Sequence, residues 1–435
     1  MQNNQSLYGI IKLPRVAAPA VIFLLFITCS APVNTVKEKN VAKIYNPSSS
    51  KIHPAFSVYH NDENTSTLFV KIFPKELLYS QANPEGLYKA SFRVNYHLYE
   101  IVKPTEDVMA DSGSVTYTFL RDTPEQRAVK EILLRAVPGK LYQLKIQAMD
   151  LIRREEVIRH IYVDKRTTLS QQNFMIREEK SGLPYFAPYV LGKSMFRILY
   201  NNPAKHKKVF VSYYGKEVPL PKPSFTSYRE NIYLSNPDSL WIMPYSPDIS
   251  YQLAYEGIYF FQFDTAVKAG LTVLNFGGNF PRIKNSAEMV QPIEYIATYA
   301  EYERIKKATN KKFAVDEFWL DNADGTERAR ELIRIFYTRV FFSNYYFTSF
   351  KPGWLTDRGM IFIIYGPPQA IYVDNNKERW VYFKKSSGSN VTFIFSHVAS
   401  PYAENHYLLE RSESSEGHWK QAIDTWRNGS VFMLD

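Results

Sequence analysis

The chain is 435 residues long, too long for one ordinary core, so two or three domains are expected. Hydrophobic residues at 45% and aromatics at 15% exclude a largely disordered polymer, and 32 Tyr with 29 Phe favour the half-buried surfaces of a strand-rich protein. The formal charge of +10 is spread along the chain without a basic run that would track a phosphate backbone, which argues against a nucleic-acid partner.

At the N-terminus, Lys12 and Arg15 precede an uncharged run over residues 16–28. That run is too short for a comfortable membrane span, and residues 1–28 read as a secretory signal. It ends at Cys29, the single cysteine, which has no partner for an internal disulfide. The position resembles the lipobox of bacterial lipoproteins, where the thiol is acylated, although Thr28 departs from the usual small residue. The resemblance implies a membrane anchor through Cys29 and an outer-membrane address. No early acidic cluster follows the cysteine, which favours the periplasmic face over the cell surface.

Residues 29–52 carry Pro, Ser and Lys without a sustained period and read as a flexible tether. Alternation then begins. Phe92, Val94, Tyr96 and Leu98 share one strand face; Pro138-Gly139 turns the chain, after which Tyr142, Leu144, Ile146 and Ala148 point inward. With the runs at 67–73 and 157–163, these predict an immunoglobulin-like β-sandwich over 53–167. Apolar and alternating runs broken by Gly and Pro predict a second, smaller β-rich domain over 180–275. Prolines 219, 221 and 223 make their segment an edge or an extended arm.

From about 285 the period becomes helical. Pro292 suits a first helical turn; Ala329, Leu332, Ile333, Phe336 and Val340 lie at helical spacing, with Asp324 and Glu327 as an N-cap pair. Strands are expected again at 360–365, 370–373, 379–383, 391–395 and 407–410, with a Gly/Ser-rich hairpin loop at 384–390. The unit over 285–435 is therefore α+β, helices followed by an antiparallel meander sheet, and the whole chain is a mainly β multidomain protein.

Residues 353–359 read GWLTDRG, followed by an apolar run and a Gly-Pro-Pro stop. This block resembles the GWxTD domain, a family of exported bacterial proteins, and the resemblance runs over about 285–430. It implies a fold and an exported address, and brings no reaction with it.

The residues themselves permit two readings. Asp357 and Arg358 could orient a substrate or an anionic sugar. Alternatively Gly353 supplies a turn, Trp354 anchors, Thr356 and Asp357 accept backbone amides, and Gly359 allows a tight approach to a central buried strand, Met360 to Tyr365. The structural corner is the preferred reading and a binding rim the second. Asp316 and Glu317 are neighbours on a helix and point apart; one of them could reach Arg358 as a buried ion pair, and Glu317 with Asp357 is the glycosidase-type alternative. Trp319, Trp354, Trp380, Trp419 and Trp426 concentrate in this unit, as core anchors or as a sugar-stacking surface.

The eight histidines show no metal-ligand spacing, and nucleophile-elbow, P-loop and dinucleotide fingerprints are missing. No catalytic residue, metal or cofactor is assigned. The expected function is a membrane-anchored envelope lipoprotein acting as a non-enzymatic binding or scaffold protein, with a protein partner in an export or outer-membrane assembly complex. The alternative is an envelope glycan-binding protein or hydrolase using Asp357, Arg358 and Glu317.

Overall fold

The computed structural model describes residues 40–432 except 47–48, 82–85, 104–105, 122–126, 216–217, 229–233, 235, 375 and 384–389. Cys29, the expected signal peptide and the hairpin loop at 384–389 lie outside the described residues.

Eight strands occupy residues 55–164: β1 (Ala55–His60), β2 (Thr65–Ile72), β3 (Ser80–Gln81), β4 (Tyr88–Lys103), β5 (Glu106–Leu120), β6 (Ala128–Arg135), β7 (Leu141–Asp150) and β8 (Glu155–Asp164). One antiparallel sheet runs β1-β2-β6; the other runs β3-β4-β7-β8, with β5 also paired to β4. Their inward faces form a sandwich. Val58, Leu68 and Leu134 of the first sheet share a hydrophobic cluster with Val94, Leu144 and Ile146 of the second, as period-two alternation requires.

Turn geometry fixes which backbone groups of the two outermost strands face outward. Asn61 N donates to Thr65 O at 3.2 Å, which makes the odd residues of β1 the hydrogen-bonded partners of β2. Phe56, Val58 and His60 therefore turn their N–H and C=O away from the sheet. In the same way Lys165 N donates to Lys140 O at 2.9 Å, and the even residues of β8 face outward. Gln172 covers the end of β8, its Nε2 donating to Tyr162 O at 2.7 Å and its Oε1 accepting from Asp164 N at 2.9 Å.

A second sandwich is built from β9 (Phe174–Glu178), β10 (Tyr189–Val190), β11 (Met195–Tyr200), β12 (Lys208–Tyr214), β13 (Ser239–Pro244), β14 (Ser250–Gln252), β15 (Gly257–Gln262) and β16 (Leu271–Asn275). Sheet β14-β11-β9 packs Phe196 and Ile198 against Val211, Phe261 and Val273 of sheet β10-β16-β15-β12-β13. The proline-rich stretch between β12 and β13 forms no strand among its described residues. It runs as an arm whose Val218, Leu220 and Phe225 pack on the C-terminal unit.

That unit contains α1 (Ser286–Ile293), α2 (Tyr299–Lys307), α3 (Lys311–Asp321), α4 (Thr326–Phe347) and α5 (Asp357–Tyr365). The meander β17 (Ala370–Val373), β18 (Lys377–Phe383), β19 (Asn390–His397) and β20 (Tyr407–Leu409) follows, and α6 (Glu416–Arg427) closes the chain.

Four expectations are corrected. Met360 to Tyr365 is not a strand but the body of α5, and every residue of that helix is buried. A run apolar on all sides is as compatible with a fully buried helix as with a central strand. The deciding signals are the caps: Thr356 Oγ1 accepts from Gly359 N, and Gly366 at φ +84° ends the helix ahead of the two prolines. Pro292 sits near the end of α1, whose cap is Asn285, and α4 is preceded by Gly325 rather than capped by Asp324. The tether expected over 29–52 does not extend across its described part. Residues 42–45 form a 3-10 turn that buries Ile44 and Tyr45, and Val41 N donates to Ile371 O at 2.9 Å. Apolar side chains with a groove to fill outweigh a polar, proline-containing composition.

Candidate functional site

The GWLTDRG block is a corner between α4 and α5. Residues 353–355 make a 3-10 turn, and Thr356 caps the following helix. The corner is tight because two glycines remove side chains from the crossing: a Cβ on Gly353 would collide with Ser343 O of α4, and one on Gly359 with Gly353 O. Trp354 N donates to Asn344 Oδ1 at 3.1 Å, while Tyr295 Oη donates to Trp354 O at 2.6 Å.

Both charges of the block are spent internally. Asp357, 1% exposed, accepts from Leu409 N at 2.8 Å and forms a two-pronged pair with Arg411, 2.6 Å at Oδ1 and 3.0 Å at Oδ2. Arg411 also donates to Lys222 O at 3.0 Å, which holds the proline-rich arm. Arg358, 2% exposed, points to the opposite side of the corner. Its Nη1 donates to Glu378 Oε1 at 3.1 Å, its Nη2 donates to Asn405 O at 3.0 Å, and its guanidinium lies 4.0 Å from the Tyr407 ring centroid. Glu378 is completed by Tyr45 Oη at 3.0 Å and by Trp380 Nε1 at 3.0 Å. One more buried cation, Arg339, donates to Ile363 O and Ile364 O at the end of α5, and burial pulls its pKa down to about 10.

Glu317 does not meet Arg358 or Asp357. It pairs with Arg304 at 3.1 Å on an open face of α3, and Asp316 pairs with Lys312 one turn away on the same helix. Consecutive helical positions diverge by about 100°, so neither carboxylate is carried to the corner. Trp319 and Trp380 are fully buried and Trp354 nearly so, which makes them core anchors rather than a stacking surface. Asp357 and Glu317 thus flank no common space, and the corner has the geometry of an internal lock.

Sequence reasoning missed a cleft of about 670 Å³ on another side of the molecule. Its walls are β1, residues 159–162 of β8, β9 with the segment after it, Tyr345 and Tyr346 at the end of α4, and residues 403–405 with Tyr407. The carboxyl of Glu404 is reached by solvent but ringed by protein, which pushes its pKa up to about 8; Gln172 Nε2 donates to it at 3.1 Å. Arg159 stands in the same wall among Tyr45, Tyr345 and Tyr346, and burial lowers its pKa. No short motif encodes such a place, because its residues come from segments more than 300 positions apart.

Two β-sandwiches joined to a helical unit whose charged corner is internal define a modular, mainly β protein. Residues 257–428 match the family model of the GWxTD domain, so this is a GWxTD domain-containing protein. The match begins at β15, earlier than the 285 expected from periodicity. Ile258, Phe260 and Leu274 of that strand pair pack with Phe350, Tyr402 and Ala403, which ties β15 and β16 to the C-terminal unit. No curated protein matches the chain. Among solved structures it is similar, at 14% identity and a TM-score of 0.18, to a candidate beta-galactosidase from Bacteroides fragilis, over 33% of this chain and 20% of that one. The chain spans about a fifth of that protein's length, and a likeness of this degree carries no argument about activity.

Proposed function

We propose that this is an envelope lipoprotein acting as a non-enzymatic binding or scaffold protein, which engages a partner of an export or outer-membrane assembly complex through the cleft. The observation that carries the reading is a contrast. Asp357 and Arg358 are consumed by Arg411 and Glu378, whereas the cleft offers a recessed carboxyl, an arginine and a tyrosine-rich wall on one continuous concave surface. Lipid on Cys29 supplies the anchor, with the periplasmic face of the outer membrane as the address.

The test is membrane fractionation of full-length protein beside Cys29→Ser, with crosslinking capture by wild type, Arg159→Gln and Tyr346→Ala. Membrane association that depends on Cys29, and a partner lost in cleft variants of unchanged thermal stability, support the reading. Association indifferent to Cys29, or capture indifferent to both cleft substitutions, contradicts it.

A further inference from the structure

The edge of β1 contributes backbone, not only side chains, to the cleft wall. Phe56 and Val58 direct their N–H and C=O outward, and among the described residues no strand pairs with that edge. Pro54 to Tyr59 all line the cleft. Open edges are templates for another chain, and proteins ordinarily blunt them with lysine, inward charge, a bulge or a covering element. The stretch Ala55 to Tyr59 has no charged residue, and its pairing with β2 is regular from Ala55 to His60. Among the described residues no strand covers this edge, and β9 with the 3-10 turn at Gln171–Asn173 packs beside it.

The charges around it are unbalanced. Arg127 of the same wall pairs with Glu178 at 2.9 Å. Lys71 and Arg159 have no carboxylate partner among the described residues. Lys71 Nζ lies 4.8 Å from the Phe186 ring centroid, and Arg159 Nη2 donates to Ile44 O at 3.3 Å. Glu404 is the remaining acid of the wall, and Gln172 Nε2 donates to it at 3.1 Å. The six residues of β1 span about 20 Å, the length of a short added strand.

From the open edge and the two cations that form no ion pair we infer that the cleft receives an extended acidic segment of a partner polypeptide, added as a strand to β1 with its carboxylates on Lys71 and Arg159. This rests on the binding reading above and specifies the partner's chemistry and its mode of docking.

The probes are an acetylated, amidated heptapeptide of alternating Val and Glu, its Val/Lys counterpart, and the acidic peptide N-methylated at alternate backbone amides. Each is titrated into the full chain by fluorescence anisotropy, with amide exchange read at Phe56 and Val58. The acidic peptide is expected to bind and to slow exchange at both amides. Lys71→Gln with Arg159→Gln weakens it at least tenfold. Phe56→Pro, which deletes an outward N–H at a tolerant edge position, weakens it comparably, while Phe56→Ala retains most of the affinity. Equal binding by the basic or the N-methylated peptide, unchanged exchange, or no binding of the acidic peptide overturns the inference; the N-methylated probe decides even if Phe56→Pro fails to fold. Where acetate or an oligosaccharide occupies the cleft in an Arg159-dependent way and no peptide does, strand addition fails and the binding reading survives. Where nothing enters and capture ignores the cleft variants, both fail.

Discussion

Arg411 grips Asp357 with two parallel hydrogen bonds, and the pair is almost wholly out of solvent: the Asp357 side chain is 0% and that of Arg411 6% exposed. The partner carboxylate is fixed by Leu409 N, so a strand of the meander and the corner before α5 are welded at one point. Removing one member of such a pair strands the other charge in the interior, at a cost of about 3–5 kcal/mol. Arg411→Met alone is therefore expected to lower unfolding stability by that amount. Asp357→Leu combined with Arg411→Met should recover a substantial part, which denaturant titrations of the two variants compare directly. Equal losses in both would place the energy elsewhere than in the unpaired charge.

Gly353 and Gly359 act through space they leave empty. Alanine at either position must push the 353–355 turn off α4 or α5, and each change is expected to cost about 3 kcal/mol or more, the upper range for overpacking. Gly417, with open space where a Cβ would lie near the start of α6, is the control: alanine there should be neutral or stabilising by up to about 1 kcal/mol. Thermal melts of the three variants check the ordering.

Acid should unfold the protein well above the carboxylate range. His60 is 0% exposed, bonded to Ser66 Oγ at 2.8 Å and to Asp164 O at 2.9 Å, and burial depresses its pKa from 6.5 to about 4. Burial moves His160 and His397 to about 4 as well. Between pH 6.5 and 4 the unfolded chain takes up protons that the folded chain refuses, so stability is full above 6.5 and declines as pH falls through that window. For His60 the decline is on the order of 3 kcal/mol. His60→Gln should start less stable at pH 7.5 and lose less between pH 6.5 and 4, as read from denaturant midpoints at each pH.

The segment before β1 belongs to the fold. A chain beginning at residue 40 keeps Val41 on Ile371 and Tyr45 on Glu378; one beginning at residue 47 exposes the apolar surface that Val41, Ile44 and Tyr45 cover. The shorter chain is expected to be less stable by about 3 kcal/mol or more. Identical denaturation midpoints would show that 40–46 is a tether after all.

Strand alternation made the first sandwich legible, because residues such as Phe92 to Leu98 bury one face and leave the other in solvent. The same logic failed for Met360 to Tyr365, since total burial erases periodicity and leaves only the caps at Thr356 and Gly366 to separate helix from strand. The buried anchoring role of Trp319 and Trp380 follows from residue type. The partners of Asp357 and Arg358 do not: Arg411 and Glu378 carry no local mark in the sequence, and Asp316 and Glu317 looked equally suitable. The cleft was invisible for a related reason. Arg159, Glu404 and the edge of β1 acquire meaning only when three units meet, and a backbone edge has no residue signature.

Guanidinium denaturation of Asp357→Ala beside wild type, with partner capture from the same preparations, separates a lock from a binding rim most directly. A structural corner predicts a fall of about 3–5 kcal/mol, with any capture lost only in proportion to the unfolded fraction. An unchanged midpoint together with a vanished partner would contradict it and return the GWxTD block to the binding surface.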